Sequence, residues 1–294
     1  MRFWSVASGC SRPATRRVVA GGLMDRFERQ RKFFGAEGQD RLRSTRVLIV
    51  GAGGLGSHIV QQLAYLGAGQ LIVVDPDVLD ETNRNRLVGA WTSDPLGKPK
   101  VAIAHRLVAA IDPGIEIVAH QCDLRDAVVE QEIRNADWIF GCVDNDGARL
   151  LLTQRCAEAR RPYVDLATEI YVSENQTDWG GRVCVAMSGR GCLYCLGLLS
   201  QEDIQTSLAD DAERRDRKAI YGIEAGALQG SGPAVVYLNG IIASLGVAEF
   251  AAAATGLRAA RPHLEYRGTF GLVSARVDPP EPGCPYCISG VGTE

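Results

Sequence analysis

A glycine-rich turn between two apolar segments constrains most strongly how this chain can fold. Residues 47–50 are apolar and lead into Gly51-Ala52-Gly53-Gly54-Leu55-Gly56, and a second apolar run, residues 71–74, follows a stretch with helical spacing. This order predicts a strand, a glycine turn, a helix and a second strand. Gly51 would allow the tight turn, Gly53 the approach of backbone to a phosphate, and Gly56 close packing of the helix on the strand.

An acidic residue, Asp75, directly follows the second apolar run. In folds of this type a carboxylate at about this distance accepts hydrogen bonds from ribose hydroxyls, and phosphate binds the amides at the helix N-terminus. A glycine fingerprint alone often marks only a structural turn, but the strand before it, the helix after it and the acid favour a nucleotide site. The pattern does not specify which nucleotide.

The remainder of the chain continues the alternation of strands and helices. Further strands are predicted at residues 115–119, 138–140 and 162–166. Residues 97–100 open a predicted helix that runs to about residue 111, and two more helices are predicted at 127–134 and 148–159. Residues 264–267 and 270–273 suggest two strands joined by a turn. The fold class predicted is α/β, a doubly wound Rossmann-like sheet that C-terminal strands close. The polar residues 76–86 would lie at the carboxyl edge of the sheet, where ligands bind.

Composition limits the class of protein further. The chain has 294 residues, 46% of them apolar, and can form one large core. A formal net charge of -3 provides no broad basic face, which argues against nucleic acid as a partner. Nine cysteines are too few for a disulfide scaffold in so long a chain and favour a reduced, cytoplasmic protein.

Two segments need to be weighed as targeting or membrane elements. Residues 1–22 contain four arginines and no acid, but their apolar run is too short for a signal-peptide core. We expect a disordered extension or a natural start at Met24, followed by one domain over residues 23–294. Residues 234–254 contain Asn239 and Glu249, so a buried core or interface helix is favoured over a membrane span.

Four of the cysteines form two close pairs. These are Cys192-Leu193-Tyr194-Cys195 and Cys284-Pro285-Tyr286-Cys287. Four thiolates are the usual ligand set of a closed tetrahedral Zn2+ site, although a single pair of this spacing can also be a redox motif. Because all four ligands would be protein thiolates, the site is expected to be structural. It would attach the C-terminal tail to the middle of the chain as a four-cysteine zinc knuckle.

Seven landmarks in one order resemble the ubiquitin-activating-enzyme-like superfamily. They are Arg29-Gln30, the glycine turn, Asp75 with Asp77, residues 83–86, residues 97–100, Asp144-Asn145 and the two cysteine pairs. From about Arg26 to Cys287 the chain is similar to the bacterial ThiF/MoeB/HesA-type adenylyltransferases. The resemblance implies one adenylation domain that binds ATP and adenylates the C-terminal glycine of a small ubiquitin-like or sulfur-carrier protein ending in Gly-Gly, releasing pyrophosphate.

The resemblance also assigns roles to individual residues. When a carboxylate attacks ATP, two anions meet and the leaving pyrophosphate carries charge, so fixed cations and a metal are needed. Nucleotide binding is assigned to Gly51, Gly53, Gly54, Gly56, Asp75, Asp77, Asn83, Arg86 and Lys100. Asp144 would bind Mg2+, and Arg29 would reach the phosphates of a neighbouring subunit in a homodimer. The alternatives are solvated surface charges for the Arg and Lys residues and a helix cap for Asp144.

Several relatives carry a thioester-forming cysteine at the end of a mobile crossover loop. In this chain residues 201–222 would be that loop, and it ends in Tyr221-Gly222 before Ile223-Glu224-Ala225-Gly226, with no thiol. We therefore expect the acyl-adenylate to pass to a separate sulfur donor or acceptor. Cys122, Cys142, Cys156 and Cys184 are interpreted as buried small hydrophobes, and of these Cys184 lies near the knuckle.

Other function classes stay open at this point. A nicotinamide-dependent dehydrogenase could use the same glycine fingerprint, but Arg86, Lys100 and Asp144 would then have no reason to cluster. A related enzyme could adenylate a peptide or a small carboxylate, and a zinc-bound scaffold would have no activity. A neighbouring gene for a downstream conjugating enzyme would point to a bacterial conjugation or defence system.

Overall fold

The computed structural model describes residues 25–187, 190–208, 233–276 and 279–287. Within them the helices are α1 (Glu28–Ser44), α2 (Gly54–Leu66), α3 (Lys100–Ile111), α4 (Ala127–Asn135), α5 (Asp146–Glu158), α6 (Gln201–Leu208) and α7 (Val236–Ala254). The strands are β1 (Arg46–Val50), β2 (Gln70–Val74), β3 (Glu116–His120), β4 (Trp138–Gly141), β5 (Tyr163–Val172), β6 (Thr177–Ala186), β7 (His263–Arg267) and β8 (Leu272–Arg276).

The described strands form one mixed sheet in the order β3-β2-β1-β4-β5-β6-β7-β8. Strands β1 to β5 are parallel, and β6, β7 and β8 add antiparallel pairs. The chain builds β2 and β3 on one side of β1 and then crosses to β4 on the other side. In such sheets the crevice for a ligand lies outside the carboxyl ends of the two strands at this switch, here β1 and β4.

Each face of the sheet is covered by helices, which confirms the doubly wound prediction. Helices α2 and α7 contribute to the core on one face, where Phe250 packs edge-on against Trp138 and Phe140. Helices α4 and α5 and the buried Leu193 cover the other face. Strands β1, β2 and β4 are buried on both sides, which is why their sequences are almost continuously apolar.

Helix α7 lies in the core. Among the described residues it alone is long and apolar enough for a membrane span, with a mean hydropathy of 1.5. It packs along α2 and across β5 and β6, and its buried Glu249 is paired with Arg258. A Cβ on Gly181 of β6 would lie 2.7 Å from Cγ1 of Ile242, so glycine at that position permits the close approach of α7.

Three elements differ from the sequence predictions. Strand β6 was missed, because its first half is polar and glycine-rich and its register comes from β5 and β7 on either side. Part of the predicted mobile loop is a helix, α6, while residues 209–222 lie outside the described residues. Phe270 belongs to a short turn (Gly268–Phe270), so the last strand starts at Leu272. Residues 1–22 and 223–226 also lie outside the described part.

Candidate nucleotide site

The glycine turn after β1 has a geometry that agrees with the roles predicted for Gly51, Gly53 and Gly56. Gly51 has φ +94°, and a Cβ there would lie 2.5 Å from the Cys142 carbonyl oxygen. A Cβ on Gly56 would lie 1.8 Å from the Gly51 carbonyl oxygen, so the helix and turn could not pack as they do. At Gly53 no atom lies within 4 Å of such a Cβ, and α2 begins there without a side-chain cap. The first amides of α2 are therefore open to an anion.

Asp75 holds this turn in place. Asp75 is 4% exposed. Its Oδ2 accepts a hydrogen bond from the Ala52 amide at 2.6 Å, and its Oδ1 accepts one from the Asp77 amide at 2.7 Å. Burial raises the pKa of Asp75, and the two amides together with the charge of Lys100 oppose that shift. Each oxygen retains a lone pair, so the predicted ribose contact is compatible with this structural role and stays a prediction.

Lys100 reaches the same edge of the sheet from the first position of α3. Its Nζ lies 2.8 Å from Oδ2 of Asp77, and its amide donates to the Asp77 carbonyl at 3.1 Å. The Lys100 side chain is 11% exposed, whereas that of Asp77 is 64% exposed. The ammonium is thus fixed at the mouth of the crevice, with a counter-ion that water can solvate if an anionic ligand displaces it.

Arg86 and Asn83 lie on the segment between β2 and α3. Asn83 Oδ1 accepts the Asp80 amide at 3.1 Å and completes a capping box on the short helical turn Glu81–Asn83. Arg86 Nη1 donates to the Thr82 carbonyl at 2.6 Å. The Arg86 Cδ lies 3.4 Å from where a Cβ on Gly54 would be. The structure therefore brings Arg86 beside the first turn of α2, as the sequence interpretation requires.

Asp144 follows β4, on the other side of the switch point from β2. The residue is exposed, and the one hydrogen bond described for its carboxylate is a 3.3 Å contact from Asn145 Nδ2. Asn145, not Asp144, caps helix α5, since its Oδ1 accepts the Ala148 amide at 2.8 Å. A carboxylate without a described cationic partner at this position is a suitable ligand for Mg2+.

A buried ionic cluster, which sequence reasoning missed, supports the loop that carries Asp144. Asp165 is fully buried on β5, 3.4 Å from Arg149 Nε and 3.6 Å from Arg182 Nη2, and it accepts the Tyr163 hydroxyl at 2.9 Å. Burial raises the pKa of Asp165, and the two guanidinium groups oppose that shift. Arg149 Nη2 also donates to the Val143 carbonyl at 2.8 Å. An acid inside an apolar strand was the only signal of this cluster.

Arg29 is the one residue predicted for the nucleotide site that the chain places elsewhere. It is exposed in the first turn of α1, and its neighbour Gln30 donates to the carbonyl of Leu66, at the C-terminal end of α2. The glycine turn is at the other end of that 13-residue helix, about 20 Å away at 1.5 Å per residue. Within one chain Arg29 and the glycine turn are not brought together, and the predicted role in trans stays a prediction.

A second missed feature, the Asp94 clamp, consists of Asp94 with Arg106, Lys98 and the Trp91 amide. Both Nη atoms of Arg106 donate to the Asp94 carboxylate. Lys98 Nζ donates to Asp94 Oδ1 at 2.8 Å, and the Trp91 amide donates to Asp94 Oδ2 at 2.8 Å. The guanidinium of Arg106 stacks 3.8 Å from the Trp91 ring centre. The clamp ties the segment bearing Arg86 to helix α3. Nothing in the local sequence marks a pair 12 positions apart across a loop.

The clamp predicts a pH-dependent stability difference. Hydrogen bonds from Arg106 and Lys98 hold the pKa of Asp94 well below its ordinary value. The stabilisation is therefore fully present above the unfolded-state pKa of about 3.9 and is lost as pH falls through the lower folded pKa. We expect Asp94→Asn to lower the thermal midpoint clearly at pH 7. The difference in thermal midpoint between wild type and this variant should become smaller as the pH falls below about 4.

The matched control for this prediction is Asp123→Asn. Asp123 pairs with Arg125, but the two side chains are 45% and 66% exposed. Exposed pairs contribute little, so this variant should shift the midpoint by a small fraction of the Asp94 effect. Equal shifts in the two variants, or a gap that does not change with pH, would contradict the clamp.

The four paired cysteines converge. Their Sγ atoms all lie within 4.8 Å of one another, with Cys192 3.7 Å from Cys284 and Cys195 3.4 Å from Cys287. A tetrahedral zinc with Zn–S bonds of about 2.3 Å requires sulfur atoms about 3.8 Å apart, so the set fits the ion. The third residues of the two pairs, Tyr194 and Tyr286, pack edge-on with ring centres 5.0 Å apart. The cluster could bind zinc and attach residues 279–287 to the body of the fold.

The other described cysteines lie in or near the core. Cys156 and Cys184 are buried, whereas Cys122 and Cys142 are half-buried. Burial raises the pKa of all four thiols. Thiolate is the nucleophilic form, so these environments disfavour nucleophilic reactivity at neutral pH.

The fold and site define a doubly wound α/β protein with a candidate nucleotide site, and comparison with known proteins narrows the class. Residues 27–286 match the ThiF family. The chain belongs to this family. A SAMP-activating enzyme E1 of Haloferax volcanii is 37% identical over 142 residues, which are 48% of this chain and 52% of that protein. A sulfur carrier protein adenylyltransferase of Thermus thermophilus is 32% identical over 143 residues, 48% of this chain and 52% of that protein. The matches span about half the length of these relatives.

Solved structures share the fold at low sequence identity. E. coli MccB in complex with MccA-N7isoASN has a TM-score of 0.70 at 18% identity, covering 90% of this chain and 75% of that one. MccB with ATP has a TM-score of 0.68 at 20% identity, with the same coverage. These likenesses confirm the predicted architecture.

Proposed function

We propose that this protein is an adenylyltransferase that uses ATP to adenylate the C-terminal glycine of a small ubiquitin-like or sulfur-carrier protein, releasing pyrophosphate. The observation that carries the proposal is the convergence at one sheet edge of open helix amides, Arg86, Lys100 and the exposed Asp144. Membership of the ThiF family and relatives named as adenylyltransferases support it.

The charges at the crevice suit the reaction. A carboxylate oxygen of the carrier attacks the α-phosphorus of ATP, a new oxygen–phosphorus bond forms, and the bond to the pyrophosphate oxygen breaks. Arg86 and Lys100 would offset the negative charge that accumulates on the phosphates, and the α2 amides would hold them in place. Asp144 would hold Mg2+, which when bound polarises phosphoryl oxygens. The product is a mixed anhydride of the carrier and AMP.

The acceptor of the acyl group lies outside the adenylation site in this proposal. The described cysteines outside the zinc-type cluster have raised thiol pKa values, and the crossover segment ends in Tyr221-Gly222, with no thiol there. We propose hand-over of the adenylate to a separate sulfur donor or conjugating enzyme, without a loop thioester. We place the reaction in the cytoplasm, where ATP and reduced thiols are available.

The test of the reaction is ATP–pyrophosphate exchange with purified protein. We expect exchange of labelled pyrophosphate into ATP that depends on Mg2+ and on a small protein ending in Gly-Gly. The matched control is the same carrier with its last two glycines removed, which should support none. If a short peptide or a free carboxylate supports exchange and the carrier protein does not, the substrate is a peptide or a small carboxylate and not a carrier protein. Binding of NAD with no binding of ATP would favour the dehydrogenase alternative.

A homodimer with Arg29 acting in trans is a further part of the proposal. It rests on the separation of Arg29 from the glycine turn within one chain. Arg29→Ala and Lys100→Ala should each be inactive alone. Mixed and allowed to exchange subunits, they should recover roughly a quarter of wild-type exchange activity, because roughly half the dimers would be mixed and each would hold one intact site. No recovery despite demonstrated subunit exchange would exclude the arrangement in trans.

A further inference from the structure

Helix α7 contributes a buried amide side chain, Asn239, to the wall of the nucleotide site. The residue is 4% exposed and lies in the first turn of α7 among the apolar residues Leu238, Ile242 and Ala243. A primary amide in such surroundings is costly unless its donors and acceptor find partners. Each end of the Asn239 amide therefore needs to be accounted for.

One end of the amide is satisfied inside the protein. The Thr168 hydroxyl of β5 donates to Asn239 Oδ1 at 3.3 Å. In this orientation of the amide the oxygen faces the sheet, and Nδ2 faces away from it. The strand and the helix together hold the NH2 group in one direction.

The other end faces the first residue of α2. A Cβ built on Gly54 would lie 2.2 Å from Asn239 Nδ2 and 3.4 Å from Arg86 Cδ, so the amide and the arginine flank the same point. Nδ2 makes no hydrogen bond to a described residue. It is also not sealed from solvent, since it is absent from the set of fully buried polar atoms without a partner. It is therefore an open donor beside the open amides of the glycine turn.

We propose that Asn239 Nδ2 donates a hydrogen bond to a phosphate oxygen of the ATP bound at the glycine turn, with Thr168 as the positioning residue that orients the amide. This inference rests on the proposed function, because it needs ATP at that turn. An amide differs from the cations of the site in that it adds a directed donor without adding charge. It would fix the rotation of the phosphate between Arg86 and the helix amides.

Two substitutions test the donor. Asn239→Leu keeps the approximate shape and removes the NH2 group, whereas Asn239→Asp keeps the shape more closely and places a negative charge beside the phosphates. Calorimetry with ATP should show affinity reduced about tenfold to a hundredfold in Asn239→Leu, the size expected for a hydrogen bond to a charged acceptor. The loss in Asn239→Asp should be larger. Thr168→Val should weaken ATP binding less than either.

Adenosine and a second buried polar residue serve as controls. Adenosine has no phosphate, so its affinity, measured by competition, should be the same for Asn239→Leu and wild type. Glu249, buried on the same helix and paired with Arg258 at 2.6 Å and 2.7 Å, allows a matched variant. Glu249→Gln should leave ATP affinity unchanged even where it lowers the thermal midpoint.

The outcomes separate this inference from the proposed function. If folded wild-type protein binds no ATP, the proposed function fails. If wild type binds ATP and Asn239→Leu binds it within about twofold of wild type, the phosphate contact does not exist and only this inference fails. A parallel loss of adenosine and ATP affinity would likewise overturn it, because it would show a general collapse of the pocket.

Discussion

Replacing Lys100 by alanine should reduce ATP–pyrophosphate exchange by at least about 10²-fold, the loss typical of removing one donor aimed at the charge that develops in a transition state. Its ammonium is held at the mouth of the crevice by Asp77 and supplies charge where the phosphates would lie. The fold should survive, because the Asp77 carboxylate left behind is 64% exposed and water can solvate it. Circular dichroism and exchange assays on the same sample check both parts.

Asp144→Ala should have a comparable effect by a different route. It removes the exposed carboxylate proposed for Mg2+, so exchange activity should fall and should return only in part as the Mg2+ concentration is raised.

Lys32→Ala is the matched control for Lys100→Ala, since Lys32 is 73% exposed on α1. Full exchange activity in Lys100→Ala or Asp144→Ala would remove the basis of the proposed reaction.

Replacing Cys284 by serine should abolish stoichiometric metal binding and detach the C-terminal segment. Wild-type protein should contain about one zinc per chain, because four thiolates at tetrahedral spacing form a closed site. The variant should contain essentially none and should unfold at a markedly lower temperature, since metal binding and folding of such a site are coupled. Residues 279–287 should become sensitive to protease.

A cysteine outside the cluster controls for the loss of any thiol. Cys122 is half-buried and does not belong to the four-sulfur set, so Cys122→Ser should retain the metal. A chelator should reproduce the Cys284→Ser behaviour in wild type and have no effect on the thermal midpoint of the variant. Wild-type protein that contains no zinc after purification with zinc in the medium would exclude the site.

The parts of the fold predicted correctly were those encoded locally. The run before Gly51 is apolar because β1 is buried on both faces, and Gly56 follows from its steric contact with the Gly51 carbonyl within the turn itself. Strand β6 was missed because its polar first half becomes a strand only through pairing with β5 and β7. Helix α6 was expected as a loop because its few apolar residues gave no long helical pattern.

The candidate site divides in the same way. Spacing and residue type indicated the glycine turn, Lys100, Arg86, Asp144 and the paired cysteines. The Asp94 clamp, the buried Asp165 cluster and Asn239 were not indicated, because each depends on side chains brought together across a loop or between separate elements. In Asn239 the partners Thr168 and Gly54 are 71 and 185 positions away.

By itself, the sequence determined most of the strands and helices and their order, the phosphate-type turn and the metal-type ligand set, since these depend on short-range periodicity, sterics and donor chemistry. The tertiary structure decided which charges meet at the switch point, which are clamped, and that Arg29 lies at the far end of α2. It did so because the direction of a side chain is set by the packing of whole elements, which local sequence does not encode.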